Sequence, residues 1–124
     1  MRCPCGTGLG FDECCGKYHA GEKAPTAESL MRSRFSAFVT GDEDYLLRTW
    51  DPATRPELLD LADMPVRFYR LEIIHTVGGG LLDPTGVVEF EAFYKGSMVG
   101  SQRERSTFRR IDDGSWVYTT GGVS

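Results

Sequence analysis

A chain of 124 residues, 40% apolar and 26% charged, has the length and composition of one ordinary globular domain with a small appendage at most. No apolar run approaches the roughly 18 residues that span a bilayer, and cysteines and glycines begin where a secretory signal would place its hydrophobic segment. The formal net charge of −4 arises wholly in residues 26–65, with four basic against eight acidic side chains. That balance argues against non-specific nucleic-acid binding, which rests on a basic surface.

All four cysteines, Cys3, Cys5, Cys14 and Cys15, lie in the first sixteen residues. Leu9 and Phe11 are the only sizeable apolar side chains there besides Met1, so burial cannot offset the cost of ordering this segment and a staple is needed. Pro4 stiffens the turn between Cys3 and Cys5, and Gly6, Gly8 and Gly10 let the backbone curl. Cys14 and Cys15 are expected at the start of a short helical turn that Gly16 ends. Four thiolates at about 2.3 Å from one ion make a closed structural zinc site, so Zn2+ is the expected cofactor. The expected compartment is the cytoplasm, where thiols stay reduced and clustered cysteines more often hold metal than disulfides. Two disulfides remain an alternative, although a bridge between adjacent cysteines is strained. The spacing matches neither ferredoxin pattern, and the Cys-x-x-Cys of a redox pair is absent. His19 lies close enough to replace a thiolate, but four cysteines already fill a tetrahedron, so a packing or surface role is expected for it.

The run Cys3-Pro-Cys-Gly-Thr-Gly, followed by Phe11 and Cys14-Cys-Gly16, resembles the SEC-C motif, the zinc-binding module at the C-terminus of the SecA translocation ATPase. The resemblance assigns the four ligand places to Cys3, Cys5, Cys14 and Cys15, and gives Phe11 the place of the aromatic that packs beside them.

Residues 17–25 read as a linker with turn residues Gly21 and Pro25. A helix is predicted from Thr26 to Thr40, with Thr26 as N-cap, Gly41 at its C-terminus and Leu30, Met31, Phe35 and Phe38 facing the core. Asp42 caps a second short helix that ends at Asp51-Pro52. Thr54-Arg-Pro-Glu57 fits a capping box for a third, through Leu58, Leu59, Leu61 and Ala62. After Pro65 the period turns to alternation. Strands are predicted over Val66–Val77, Gly86–Lys95, Met98–Ile111 and Ser115–Thr120, with turns at Gly78-Gly-Gly80, Gly96-Ser97 and Asp113-Gly114. Helices first and an antiparallel meander after is an α+β pattern.

Leu30-Met-Arg-Ser-Arg-Phe-Ser-Ala-Phe38, Asp44-Tyr-Leu-Leu-Arg-Thr-Trp50 and Glu104-Arg-Ser-x-Phe108, taken with the cysteines, resemble the uncharacterised bacterial YchJ-like proteins over nearly the whole chain. The resemblance implies a SEC-C zinc-binding motif at residues 1–20 and, at 26–124, a domain of the cystatin or nuclear-transport-factor-two-like type. That type is a cone of about four curved antiparallel strands with three helices at its mouth. Members often have His after the tryptophan, where this chain has Asp51, and some carry a second SEC-C motif after the position where this chain stops at Ser124.

Alternation puts Gln102, Glu104, Ser106 and Phe108 on one face of the third strand, expected to be the inner one because of Met98 and Phe108. Glu104 and Ser106 then need buried partners, with Arg32 or Arg34 the natural one. Arg32, Arg34, Glu104, Ser106 and Trp116 are thus the candidates for a pocket or a structural network. His75, sharing a face with Leu71 and Ile73, is expected to be a core or edge residue. No Ser-His-Asp series, phosphate loop or dinucleotide fingerprint is present, and no residue is nominated as catalytic. The expected function is a non-enzymatic adaptor that contacts another protein through its zinc module, with no membrane or nucleic-acid partner. The alternative is a small-molecule binder or enzyme using the pocket around Glu104, and a homodimer is compatible with either.

Overall fold

The computed structural model of the chain describes residues 1–59, 61 and 64–123, the last two in backbone only. An N-terminal knuckle holds a single 3-10 turn at Phe11–Glu13 and helix α1 (Cys15–His19). Two helices follow, α2 (Ala27–Thr40) and α3 (Glu43–Arg48), and then the strands β1 (Val66–Gly78), β2 (Thr85–Gly96), β3 (Gly100–Arg110) and β4 (Trp116–Val123). The strands form one antiparallel sheet in the order β1-β2-β3-β4. Register shifts at Phe68/Arg70, Ile73/His75 and Thr107/Phe108 bend and twist it, as bulges do.

Local chemistry explains the helix ends. Thr26 Oγ1 accepts from Ser29 N at 3.1 Å while Ser29 Oγ accepts from Thr26 N at 3.0 Å, a reciprocal cap that starts α2. Gly41 closes it in the left-handed conformation, with φ of 78°. Asp42 then caps α3, its Oδ1 accepting from Tyr45 N at 3.0 Å.

The core lies between α2 and the concave face of the sheet. Leu30, Met31 and Phe35 meet Leu71, Val88, Phe90, Phe108 and Trp116 there. Each large apolar side chain buried this way contributes about 1.5–3 kcal/mol. Phe38 is only half-buried and packs with Tyr45 and Leu46 in a smaller cluster beside α3.

Several expectations change in three dimensions. Three helices precede the sheet, but they include α1 inside the knuckle. The helix expected from Thr54 does not form over residues 54–59, and its Ala62 lies outside the described residues. Tertiary hydrogen bonds replace its capping box. Thr54 Oγ1 donates to the Thr119 carbonyl at 2.8 Å, and Asp51 N and Tyr118 N exchange bonds between this segment and β4. Gly16 does not end the first helical turn. It lies within α1, where a β-carbon would come 2.8 Å from the Phe11 carbonyl and 3.0 Å from its ring. Met98 stands outside β3 and is 58% exposed. His75 is exposed as well, because the bulge after Ile73 breaks the alternation that would have kept it inward.

Candidate functional site

The knuckle gathers its four cysteines from two short stretches. Cys3 N donates to the Leu9 carbonyl at 2.9 Å and Phe11 N to the Met1 carbonyl at 2.9 Å, which closes the glycine-rich loop back on its start. All four sulfurs lie within 4.8 Å of one another, and all four side chains are buried. Cys5 and Cys14 sulfurs are 3.6 Å apart, and Cys14 and Cys15 sulfurs 4.0 Å. A regular tetrahedron of sulfurs about 2.3 Å from a central ion has edges of roughly 3.8 Å, so the donor set fits a four-coordinate ion and leaves no place for water.

The thiols are not equivalent. Hydrogen bonding from Cys15, then from Thr7 and the other cysteines, holds the Cys5 thiol down to about 4 against the effect of burial. The same shared bond, with burial, pushes the Cys15 thiol up, and burial leads the rise at Cys14. Four buried sulfurs drawn together in this way are an arrangement suited to a cation.

Helix α2 grips this knuckle from behind. Arg32 Nη1 donates to the Cys5 carbonyl at 2.8 Å, while its Nε pairs with Glu28 at 3.0 Å. Ser36 Oγ lies 3.5 Å from the Cys3 sulfur. His19 Nε2 donates to the Ser33 carbonyl at 2.8 Å, and its ring packs between Phe11 and Tyr45. The histidine is thus a packing residue outside the cysteine cluster.

Neither arginine of α2 reaches Glu104. Arg32 faces the knuckle, as above. Arg34 is 3% exposed and donates through Nη1 to the Leu46 carbonyl and to Thr49 Oγ1, both at 2.8 Å. Its guanidinium lies between the rings of Trp50 and Tyr118, at 5.1 and 4.7 Å from their centres. The expected ion-pair network between helix and sheet is therefore replaced by carbonyl, hydroxyl and aromatic partners. Glu104 instead accepts a hydrogen bond from Gln102 and lines an apolar cavity of about 250 Å3 with Phe35, Phe38, Phe68 and Phe90. Ser106 is buried beside it on the same face of β3. Trp116 belongs elsewhere. Its Nε1 donates to the Pro25 carbonyl at 3.2 Å, its ring lies 4.5 Å from the Arg110 guanidinium, and it lines a separate crevice with Lys23 and Arg48.

The sequence reading missed a buried carboxylate and the exposed arginine that pairs with it. Asp51, 2% exposed, accepts two hydrogen bonds from Arg109 and one each from Ala53 N and Thr119 Oγ1. Arg109 and then the Ala53 N–H hold its carboxyl well below the usual carboxylate range. The dipeptide Asp51-Pro52 signalled only a helix end, and nothing local marked its partner 58 residues away.

No helix among the described residues is long and apolar enough to cross a membrane. Residues 26–121 match the family model described as the middle NTF2-like domain of YchJ. A UPF0225 protein of Corynebacterium glutamicum is 61% identical over 123 residues, which cover 98% of this chain and 97% of that one. Another, of Streptomyces coelicolor, is 53% identical over 120 residues, covering 96% and 93%. The solution structure of a SEC-C motif containing protein from Rhodopseudomonas palustris is similar with a TM-score of 0.84 at 35% identity, covering 100% of this chain and 99% of that one. A crystal structure of a SEC-C motif containing protein from Psychrobacter arcticus gives 0.79 at 31% identity, covering 98% and 82%. With the cysteine cluster at one end and this domain over the rest, the chain belongs to the UPF0225 family of YchJ-like proteins.

Proposed function

We propose that this chain is a zinc protein acting as a non-enzymatic adaptor, with Cys3, Cys5, Cys14 and Cys15 holding Zn2+ as the staple of a SEC-C module at residues 1–20. The body at residues 26–124 is then the platform on which that module is mounted. The observation that carries this reading is the closed set of four buried sulfurs within 4.8 Å. A site without an open coordination position stabilises structure and does not activate water. The outer surface of the knuckle supports the contact role, since Met1 is 82% and Leu9 50% exposed there. The net charge of −4 favours a protein partner over nucleic acid, and free thiols suit a reducing compartment such as the cytoplasm.

The test is metal analysis of untagged protein prepared with reductant and ample zinc, alongside the variant Cys14→Ser. One zinc per chain is expected for the native protein and none for the variant. Protein that carries no metal under these conditions, or one iron in place of zinc, would overturn the reading. For the adaptor role, a partner recovered by crosslinking to the native knuckle should be lost with Cys14→Ser, and its retention counts against the knuckle as the contact.

A further inference from the structure

At the end of the sheet where β1 begins and β2 turns into β3, charge is arranged against stability. Arg67 stands directly opposite Lys95 in the β1–β2 ladder, so the two side chains share one face. Phe68, next along β1, packs on the core, which leaves the arginine and the lysine on the convex face, where both are exposed. Like charges directly opposite one another destabilise a ladder. Among the described residues no carboxylate lies within ion-pair distance of either cation. The comparable pair further along, Glu72 opposite Glu91, is relieved by its neighbours. Arg70 pairs with Glu72, and Ser101 Oγ donates to Glu91 at 2.5 Å.

The surroundings of Arg67 and Lys95 are those of a contact surface. A bulge leaves Tyr69 without a partner across the ladder, and its ring centre lies 5.1 Å from Lys95 Nζ. Tyr69 is 47% exposed, and Met98 and Val99, in the turn that follows Lys95-Gly96, are 58% and 80% exposed. Tyrosine, methionine and arginine are side chains that protein interfaces favour. Three cations, Arg67, Arg70 and Lys95, thus stand beside exposed apolar groups in a chain whose net charge is −4.

We infer that this corner of the convex face docks an acidic segment of a partner protein, its carboxylates received by Arg67 and Lys95 and a neighbouring apolar side chain by Tyr69, Met98 and Val99. A carboxylate set between the two cations replaces their repulsion with charge-assisted hydrogen bonds. The pair that is unfavourable in the free chain then becomes the anchor of the complex, and a local rule broken in this way is what a functional surface shows. Nucleic acid fits less well. A run of phosphates laid along the sheet from this corner meets Glu72, Glu91 and Glu89 on the same face, whereas nucleic-acid affinity grows with the number of phosphates neutralised. A short peptide ends before those carboxylates. The surface draws on no residue of the cysteine knuckle.

The probe is the peptide acetyl-EEDLFE-amide, with acetyl-QQNLFQ-amide as the neutral control and an oligothymidine as the rival polyanion. Each is titrated into the full chain, prepared with zinc, and followed by amide NMR shifts. The acidic peptide is expected to move the amides of Arg67, Tyr69, Lys95 and Met98. It should bind at least about tenfold more tightly than the neutral peptide at low salt, an advantage that shrinks as salt is raised. Lys95→Glu should abolish that advantage and at the same time raise the urea midpoint, because the variant sets a carboxylate opposite Arg67. Arg67→Gln should lose most of the advantage with no loss of stability, so either variant alone can decide. Equal binding of the acidic and neutral peptides, shifts confined to other faces, tighter binding of the oligothymidine, or a lower urea midpoint in Lys95→Glu would each overturn the inference.

Discussion

Arg34 shows how this chain manages a buried charge without an opposite charge. Two hydrogen bonds to the Leu46 carbonyl and Thr49 Oγ1, with the ring faces of Trp50 and Tyr118, take the place of a carboxylate. Burial still pulls its pKa down to about 10, which leaves it charged at neutral pH. Arg34→Met keeps most of the stem but leaves two acceptors unpaired, and a loss of about 3 kcal/mol is expected in urea unfolding. Asp51 works the other way. Its folded-state pKa is depressed, chiefly by Arg109, so the stability it contributes is present above the unfolded value near pH 4 and is lost as the pH falls through the folded value. Stability measured between pH 7 and pH 2 should therefore fall more steeply below pH 4 in the native chain than in Asp51→Asn. Parallel curves would show that the pair contributes nothing.

At the scale of elements, α2 carries two duties on opposite faces. Leu30, Met31 and Phe35 pack on the sheet, while Arg32, Ser33 and Ser36 hold the knuckle. Its cap is the reciprocal Thr26–Ser29 pair, so Thr26→Ala should cost about 1 kcal/mol in thermal or urea unfolding. In the knuckle the sensitive position is Gly16, packed under Phe11. Gly16→Ala would push against a carbonyl at 2.8 Å and displace the turn that precedes Cys14 and Cys15. A weaker hold on the proposed zinc, at least tenfold in chelator competition, is expected with the body still folded. Unchanged affinity would show that the close approach does not position the cysteines.

For the molecule as a whole, the knuckle and the sheet domain are coupled through α2. Arg48 adds to this by donating from α3 to the His19 carbonyl at 2.6 Å. A metal that binds only the folded chain stabilises it by mass action, about 2.7 kcal/mol when the free ion is at 100 times its dissociation constant. Chelation should therefore lower the unfolding temperature of the whole chain, not of the first twenty residues alone. Amide exchange in α2 should also quicken around Ser33 and Ser36. An unchanged unfolding temperature after complete metal removal would mean the knuckle is an independent appendage.

The sequence by itself determined whatever depends on neighbours along the chain. Four cysteines in thirteen positions, the cap at Thr26, the glycine at 41 and the alternation of the strands each act within a few residues, and each was legible. The α+β class followed from their order. What depends on contacts between distant residues was decided only in three dimensions. Thr54 had a capping box in its local sequence, yet its hydroxyl is taken by β4, and no helix forms over residues 54–59. Glu104 and the α2 arginines looked complementary, yet the helix phase turns Arg32 to the knuckle and Arg34 between two rings. Asp51 and Arg109 meet because the chain crosses to the sheet edge after α3. Short-range backbone and ligand chemistry is written in residue order, whereas the partners of buried polar groups are chosen by the packing of whole elements.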